Sequence, residues 1–256
     1  MTMEISAHAG RYWQYEYDVS ARYMVPLLEH WGIGLRDRSV LDVGCGEGGG
    51  LCALSDRGAQ SYGFDIDERR VQVARVLKGT RAIEFATGDL YAERLPFPGM
   101  LHDLVVLHDV FEHLDHKVKT LGKLREIMSP GAAMLITFPP YYSAYGAHQQ
   151  HLRAWYAQFP FVHLVPYGAS SILPRLKDEF PHVVEEVQKL ARLKMGMRSF
   201  EKIVVAAGFH VAHKKTYLIS PNHIRFGLRP VAAGPLGGIP YLNEVLCTGA
   251  IYLLSP

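Results

Sequence analysis

Ten residues, Val40 to Gly49, constrain this chain more than any other stretch. The apolar run Val40-Leu41-Asp42-Val43 breaks abruptly into Gly44-Cys45-Gly46-Glu47-Gly48-Gly49. A strand that ends on closely spaced glycines turns tightly into a helix, because glycines at 44, 46 and 48 let the backbone take positive φ and approach a ligand with no Cβ in the way. The helix that follows is expected to offer unpaired N–H groups, so the turn reads as a seat for a nucleotide-like ligand.

Spacing narrows that ligand. The dinucleotide fingerprint G-x-G-x-x-G is absent; the pattern here is G-x-G-x-G, with Asp42 two positions before the first glycine. An acid at a strand tip repels phosphate but can receive an ammonium, directly or through water. Gln60-Ser61-Tyr62-Gly63-Phe64-Asp65 reads as a second strand ending in an acid about 20 residues further on, where a Rossmann-like sheet places a carboxylate on ribose hydroxyls. Asp67 is expected to cap the helix from Glu68 to Leu77. Ala82 to Leu90 gives a third strand, ending in Gly88-Asp89. Asp103 to Leu114 contains a fourth strand that runs into a helix.

Asp42-x-Gly44-x-Gly46 resembles motif I of the class I S-adenosylmethionine-dependent methyltransferases of small-molecule type. The later segments are similar to the same family, including Asp103-x-Val105-x-x-x-x-Val110-x-Glu112-His113-Leu114. The close resemblance covers residues 38 to 140. It implies S-adenosylmethionine as cofactor, with S-adenosylhomocysteine as product, and Asp89 accepting from the adenine amine. Asp42, Gly44, Cys45, Gly46, Gly48, Asp65, Ile66, Asp89, Leu90 and His108 form the expected cofactor set. It also implies an α/β fold, a Rossmann-like seven-stranded and mostly parallel sheet with helices on both faces and the last strand antiparallel.

Along the chain, Leu121 to Met128 reads as helix, Ser129-Pro130-Gly131 as its stop and Ala132 to Phe138 as the fifth strand. Regular alternation then lapses until a helix from Ser199 to Ala207, a strand from Phe209 to Ile219, a loop over 220–243 and a final strand from Glu244 to Leu254. A single domain is expected, divided into a helical cover (1–37), a cofactor core (38–138), a substrate-side insertion (139–196) and the rest of the sheet (197–256). An insertion of that length after a strand is more often functional than passive.

The chemistry follows from a methyl group on positively charged sulfur, which needs an in-line nucleophile and exclusion of water rather than a protein nucleophile. A hydroxyl acceptor gains from a general base. His148 and His151 in the insertion are the catalytic candidates, weighed against surface or capping roles. Their i, i+3 spacing suits metal ligation if helical, but no third ligand is evident, and no metal is expected. Tyr12 and Trp13 of the aromatic N-terminal segment, with Tyr141 and Tyr145 of the insertion, are candidates for contacting the acceptor. An aromatic face beside a cation gains about 0.5–2 kcal/mol, though an amphipathic helix packed on the sheet accounts for the same residues.

Composition agrees. The chain has 256 residues, 48% of them apolar, and a formal charge of +2, too small to imply a polyanionic partner. No apolar run is long enough to span a bilayer, Met1 to Gly10 is neither apolar nor Arg-rich, and three cysteines make no disulfide framework, so a cytoplasmic chain is expected, with Cys247 in a late strand. The expected partner is a small-molecule acceptor, most readily at a hydroxyl oxygen, without nucleic acid or membrane, and a homodimer remains open. Two rivals are an RNA or protein methyltransferase, against which stands the lack of an RNA-binding module, and a cofactor-binding protein that transfers nothing.

Overall fold

The computed structural model describes residues 5–165 and 179–256; residues 166–178 of the expected insertion, and 1–4 of the segment judged for a leader, lie outside the described residues. Helix α1 (Ala7–Val19) starts at Ser6, whose hydroxyl accepts from the Ala9 N–H, and continues through a π-helical turn (Ser20–Met24) into α2 (Val25–His30). Strand β1 (Ser39–Val43), helix α3 (Gly49–Ser55), strand β2 (Gln60–Asp65), helix α4 (Glu68–Leu77) and strand β3 (Ile83–Thr87) follow. Asp67 caps α4 as expected, accepting from the Arg69 N–H at 2.8 Å. Then come β4 (His102–His108), α5 (Lys117–Arg125), β5 (Met128–Phe138), α6 (Pro181–Leu193), α7 (Met197–Ala206), β6 (His210–Ile219), β7 (Val231–Ala232), α8 (Leu242–Leu246) and β8 (Gly249–Ser255).

The strands form one sheet in the order β3-β2-β1-β4-β5-β8-β6-β7. Pairing is parallel from β3 through β5, while β8 runs antiparallel between β5 and β6. Parallel strands are buried on both faces, and so two cores form. Leu41, Val43, Val105 and Leu107 point to one core, with Phe111, Phe138, Phe200 and Tyr252. Val40, Leu104 and Val106 point to the other, with Leu28, Leu51 and Val71.

The structure corrects the sequence reading in four places. The sheet has eight strands, because Val231–Ala232 within the loop 220–243 adds a two-residue edge to β6. Ser129-Pro130-Gly131 is not a helix stop. It lies within β5, whose register against β4 shifts between His102 and Leu104, and Gly131 takes φ +77° there, the local kink that lets a proline sit in a strand. Residues Leu242–Leu246 are helical rather than the start of the last strand, and Cys247 ends that helix. The cause is Glu244, whose carboxylate accepts from the Met197 and Arg198 N–H groups at 2.8 Å each and so satisfies the N-terminus of α7. Finally, β4 leaves into a short 3-10 turn, Phe111–His113, rather than directly into an α-helix.

Candidate active site

The carboxyl ends of β3, β2, β1, β4 and β5 lie side by side, where a doubly wound sheet places its ligand, and a cavity of about 640 Å³ opens over them. The elements contribute in strand order. Gly88, Asp89 and Leu90 follow β3, Asp65 and Ile66 end β2, Gly44 follows β1, His108 ends β4, and Tyr145, His148 and His151 follow β5. Tyr12 and Tyr15 on α1 form one wall, their ring centroids 5.6 Å apart.

At the β2–β3 end, two carboxylates are fixed by backbone. Asp65 is buried, its Oδ2 accepting from the Gly46 N–H and its Oδ1 from the Asp67 N–H, both at 2.9 Å. Each oxygen keeps a further lone pair for a ligand hydroxyl. Asp89 Oδ1 accepts from the Tyr91 N–H at 2.8 Å. Ile66, 71% exposed, offers apolar surface beside them.

The glycine turn adopts the positive φ expected of it, +76° at Gly44, +55° at Gly46 and +81° at Gly48. Its N–H groups are less open than expected, because those of Gly44, Cys45, Gly46, Gly48 and Gly49 all have acceptors within the protein. The Gly46 N–H goes to Asp65, and the Gly49 N–H to Glu16 Oε2 at 3.2 Å. Glu16 lies 3.5 Å from Arg70, which also grips Glu47 at 2.6 Å and lies 5.4 Å from the Tyr12 ring centroid. Burial pushes the Glu16 carboxyl well up against the pull of Arg70, and burial with Glu16 pushes the Tyr12 hydroxyl up to about 12.

Several expected residues do not face the cavity. Asp42 lies on the same face of β1 as Val40, since side chains alternate along a strand, and its carboxyl points beneath the π-helical turn into a small space with Ser20, Met24, Leu54, Thr137 and His108. Burial, against His108, raises it to about 7. Cys45 is buried against Gly63, and Gly48 backs onto Phe85 and Ala74. Trp13 stacks on Tyr17, centroids 5.4 Å apart, beside the core that Val40 lines. Tyr141 is buried, its N–H donating to the Met195 carbonyl.

At the β5 end the insertion and the turn after β4 meet. His148 takes φ +56° and begins the 3-10 turn Gln149–His151. Its Nδ1 lies 2.8 Å from Glu186 Oε1 on α6, and its Nε2 lies 3.9 Å from Glu112 Oε1. His113 Nε2 is 3.7 Å from the same Glu112 oxygen, and the His148 ring centroid is 5.5 Å from that of His151. Burial and the neighbouring His148 lower His113, and the enclosing walls with His148 bring His151 down to about 4. Burial alone would raise Glu186, but its hydrogen bond with His148 and the nearby His113 and His151 bring it down. Burial raises Glu112 well above the ordinary carboxylate range.

Sequence reasoning left out several of these groups. In the quoted segment after β4, Glu112 has no assigned role and His113 reads as a packing or hydrogen-bonding residue more than a catalytic one, while Glu186 sits 38 residues from His148 with no local signal of their pairing. Asp109, at φ +53°, accepts from Thr137 Oγ1 at 2.8 Å and from Asn222 Nδ2. Asn222 Oδ1 in turn lies 3.3 Å from His108 Nε2, so the proline-rich loop 220–243 reaches the cavity through Asn222, His223 and Arg225.

Comparison with known proteins agrees with this architecture. Residues 41–136 match the family model described as "Methyltransferase domain". Ubiquinone biosynthesis O-methyltransferase of Pseudomonas paraeruginosa is 29% identical over 142 residues, covering 52% of this chain and 60% of the relative. Ajmaline N-methyltransferase of Rauvolfia serpentina is 31% identical over 106 residues, 40% of this chain and 36% of the relative. The match thus spans less than two thirds of either relative's own length. Among solved structures, magnesium protoporphyrin IX methyltransferase from Synechocystis with bound SAH superposes with a TM-score of 0.54 at 17% identity, over 99% of this chain and 89% of that one. Over residues 41–136 this chain is thus similar to a methyltransferase domain, and its fold is shared with a methyltransferase solved with SAH bound.

Proposed function

We propose that this protein transfers a methyl group from S-adenosylmethionine to a small-molecule acceptor, at a hydroxyl oxygen. The observation that carries the reading is one continuous cavity that joins the fixed carboxylates Asp65 and Asp89 at one end to the histidine cluster at the other. The donor set suits the cofactor. Asp65 presents free lone pairs to a pair of ribose hydroxyls, Asp89 and Leu90 suit the adenine amine and ring, and Ile66 offers an apolar face. The Gly44 turn and His108 flank the methionine part, and a Cβ at Gly44 would come within 2.6 Å of Val110.

When bound, S-adenosylmethionine supplies a methyl group on positively charged sulfur. The chain's own residues then have three tasks. Tyr12 and Tyr15 cover the cavity and exclude water. Tyr145, whose hydroxyl donates to the Gln158 carbonyl at 3.1 Å, offers a fixed ring to the acceptor. His151 lines the cavity with its ring centroid 5.5 Å from that of His148, and one of its ring nitrogens can take the acceptor's proton. The names of the relatives, one an O- and one an N-methyltransferase, support a small acceptor without choosing the atom.

Asp65→Ala tests the cofactor half. Loss of charge-assisted hydrogen bonds to the ribose costs roughly 1.5–3 kcal/mol, or about 10- to 150-fold in S-adenosylhomocysteine affinity by calorimetry. Unchanged affinity would overturn the assignment. For the acceptor half, His151→Ala should lower turnover of a hydroxyl acceptor at saturating cofactor by about 10²- to 10⁴-fold. Full turnover would remove His151 as base.

A further inference from the structure

The group at the β5 end has the makings of a cation site that the sequence did not disclose. Glu112 Oε1, His113 Nε2 and His148 Nε2 come from two separate segments, and such atoms of these three residues lie within 4.8 Å of one another. Glu112 is 1% exposed, yet neither of its oxygens accepts a hydrogen bond from any described residue. A buried carboxylate left in that condition carries a large desolvation cost, and buried charges are normally paired or bound to metal. Lys117 acts on it only through space, because its Nζ donates to the backbone carbonyls of Glu112 and Leu114.

The second nitrogen of His148 adds an independent sign. Its Nδ1 is 2.8 Å from Glu186 Oε1, and a carboxylate only accepts, so the ring proton belongs on Nδ1 and the Nε2 lone pair faces Glu112 and His113. A carboxylate behind a histidine that presents its other nitrogen is the arrangement that orients metal-ligating histidines. The present gaps of 3.7 and 3.9 Å to Glu112 Oε1 are too long for hydrogen bonds. They are close to the ~3.3–3.5 Å that separates ligand atoms around a tetrahedral ion with bonds of about 2.0–2.1 Å.

We propose that Glu112, His113 and His148 bind a divalent transition-metal ion, with Glu186 orienting His148, at the acceptor end of the cavity. Two neutral imidazoles and one carboxylate suit Zn²⁺, Mn²⁺ or Fe²⁺ rather than Mg²⁺ or Ca²⁺, which prefer oxygen. His113 and His148 line the cavity, so the ion's remaining positions face it. Resting on the methyl-transfer reading above, the ion's use is to hold an acceptor hydroxyl and lower its pKa, the O–H proton passing to a nitrogen of His151 as the oxygen keeps the bonding pair.

The test needs no acceptor. Protein stripped with a chelator is titrated with Zn²⁺, Mn²⁺ and Mg²⁺ in a calorimeter, alongside Glu112→Gln, His148→Ala and Glu186→Gln. The expected result is one Zn²⁺ or Mn²⁺ per chain in the wild type. Glu112→Gln and His148→Ala should weaken that site by more than tenfold, and Glu186→Gln by 10- to 100-fold. Metal should raise the melting temperature of the wild type but not of Glu112→Gln, which replaces a buried charge by a near-isosteric amide and so is informative even if His148→Ala does not fold. Uptake of no Zn²⁺ or Mn²⁺ at millimolar concentration, or uptake that Glu112→Gln leaves unchanged as on scattered surface histidines, overturns the proposal. Binding of S-adenosylhomocysteine is read in the same samples. Its loss with metal binding intact would sink the methyl-transfer reading alone, and its retention with no metal site would sink only the ion.

Discussion

Asp42 is buried, with an Oδ1 that has no hydrogen-bond partner among the described residues, and its titration is tied to stability. Burial, with His108 pulling down and Asp65 pushing up, moves its pKa from the usual 3.8 to about 7. Between those values the unfolded chain has released the proton while the folded chain keeps it. The folded state therefore binds more protons, and this residue's effect is to make stability fall as pH rises from about 4 to 7. Asp42→Asn cannot ionise. Its melting temperature relative to wild type should climb between pH 5 and pH 8, by an amount equivalent to a few kcal/mol. A difference independent of pH would show that Asp42 ionises freely. At this scale the sequence placed Asp65 and Asp89 by their positions at strand tips, but it took Asp42 for a third cavity acid. Strand alternation turns that side chain to the opposite core, a consequence of pleating that the spacing of the motif does not show.

Helix α1 and the glycine turn form the element contact on which the cavity's shape depends. A Cβ on residue 49 would come within 2.0 Å of the Trp13 carbonyl oxygen, so the backbones of α1 and α3 approach each other only because Gly49 has no side chain. Gly49→Ala should destabilise the protein by about 1–3 kcal/mol, seen as a lower denaturation midpoint, because backbone rather than a flexible side chain must move. Gly10→Ala is the control. A Cβ at that position in α1 would meet nothing within 4 Å, and alanine there should be neutral or stabilising by about 0.5–1 kcal/mol. An equal effect in both variants would mean that the close approach at Gly49 carries no cost of its own. Strand existence was legible along the core because each strand is an apolar run closed by a turn. The start of β5 and the helical turn at Leu242–Leu246 were not, since a bulge in one and the capping of α7 by Glu244 in the other are long-range contacts.

Over the whole molecule, one ligand lying across five strand ends would couple cofactor binding to global stability. A ligand that binds only the folded state at 100 times its dissociation constant adds about 2.7 kcal/mol. For a chain of this size, S-adenosylhomocysteine at that excess should raise the melting temperature by roughly 5–11 °C. Asp65→Ala at the same ligand concentration should show a clearly smaller shift, and equal shifts would place the ligand elsewhere. No helix among the described residues is long and apolar enough to cross a membrane.

By itself the sequence determined the alternating strands and helices of the first half, the glycine turn, and the carboxylates that end β2 and follow β3. Those features are local: periodicity, glycine backbone freedom and capping are written within a dozen residues. Only the tertiary structure decided how the β5 end of the cavity is furnished. Glu112, His113, His148 and Glu186 span more than seventy positions, and their meeting depends on where the insertion after β5 and helix α6 fold back over the turn after β4. Packing of separate segments sets those distances, and no pattern of neighbours along the chain encodes them.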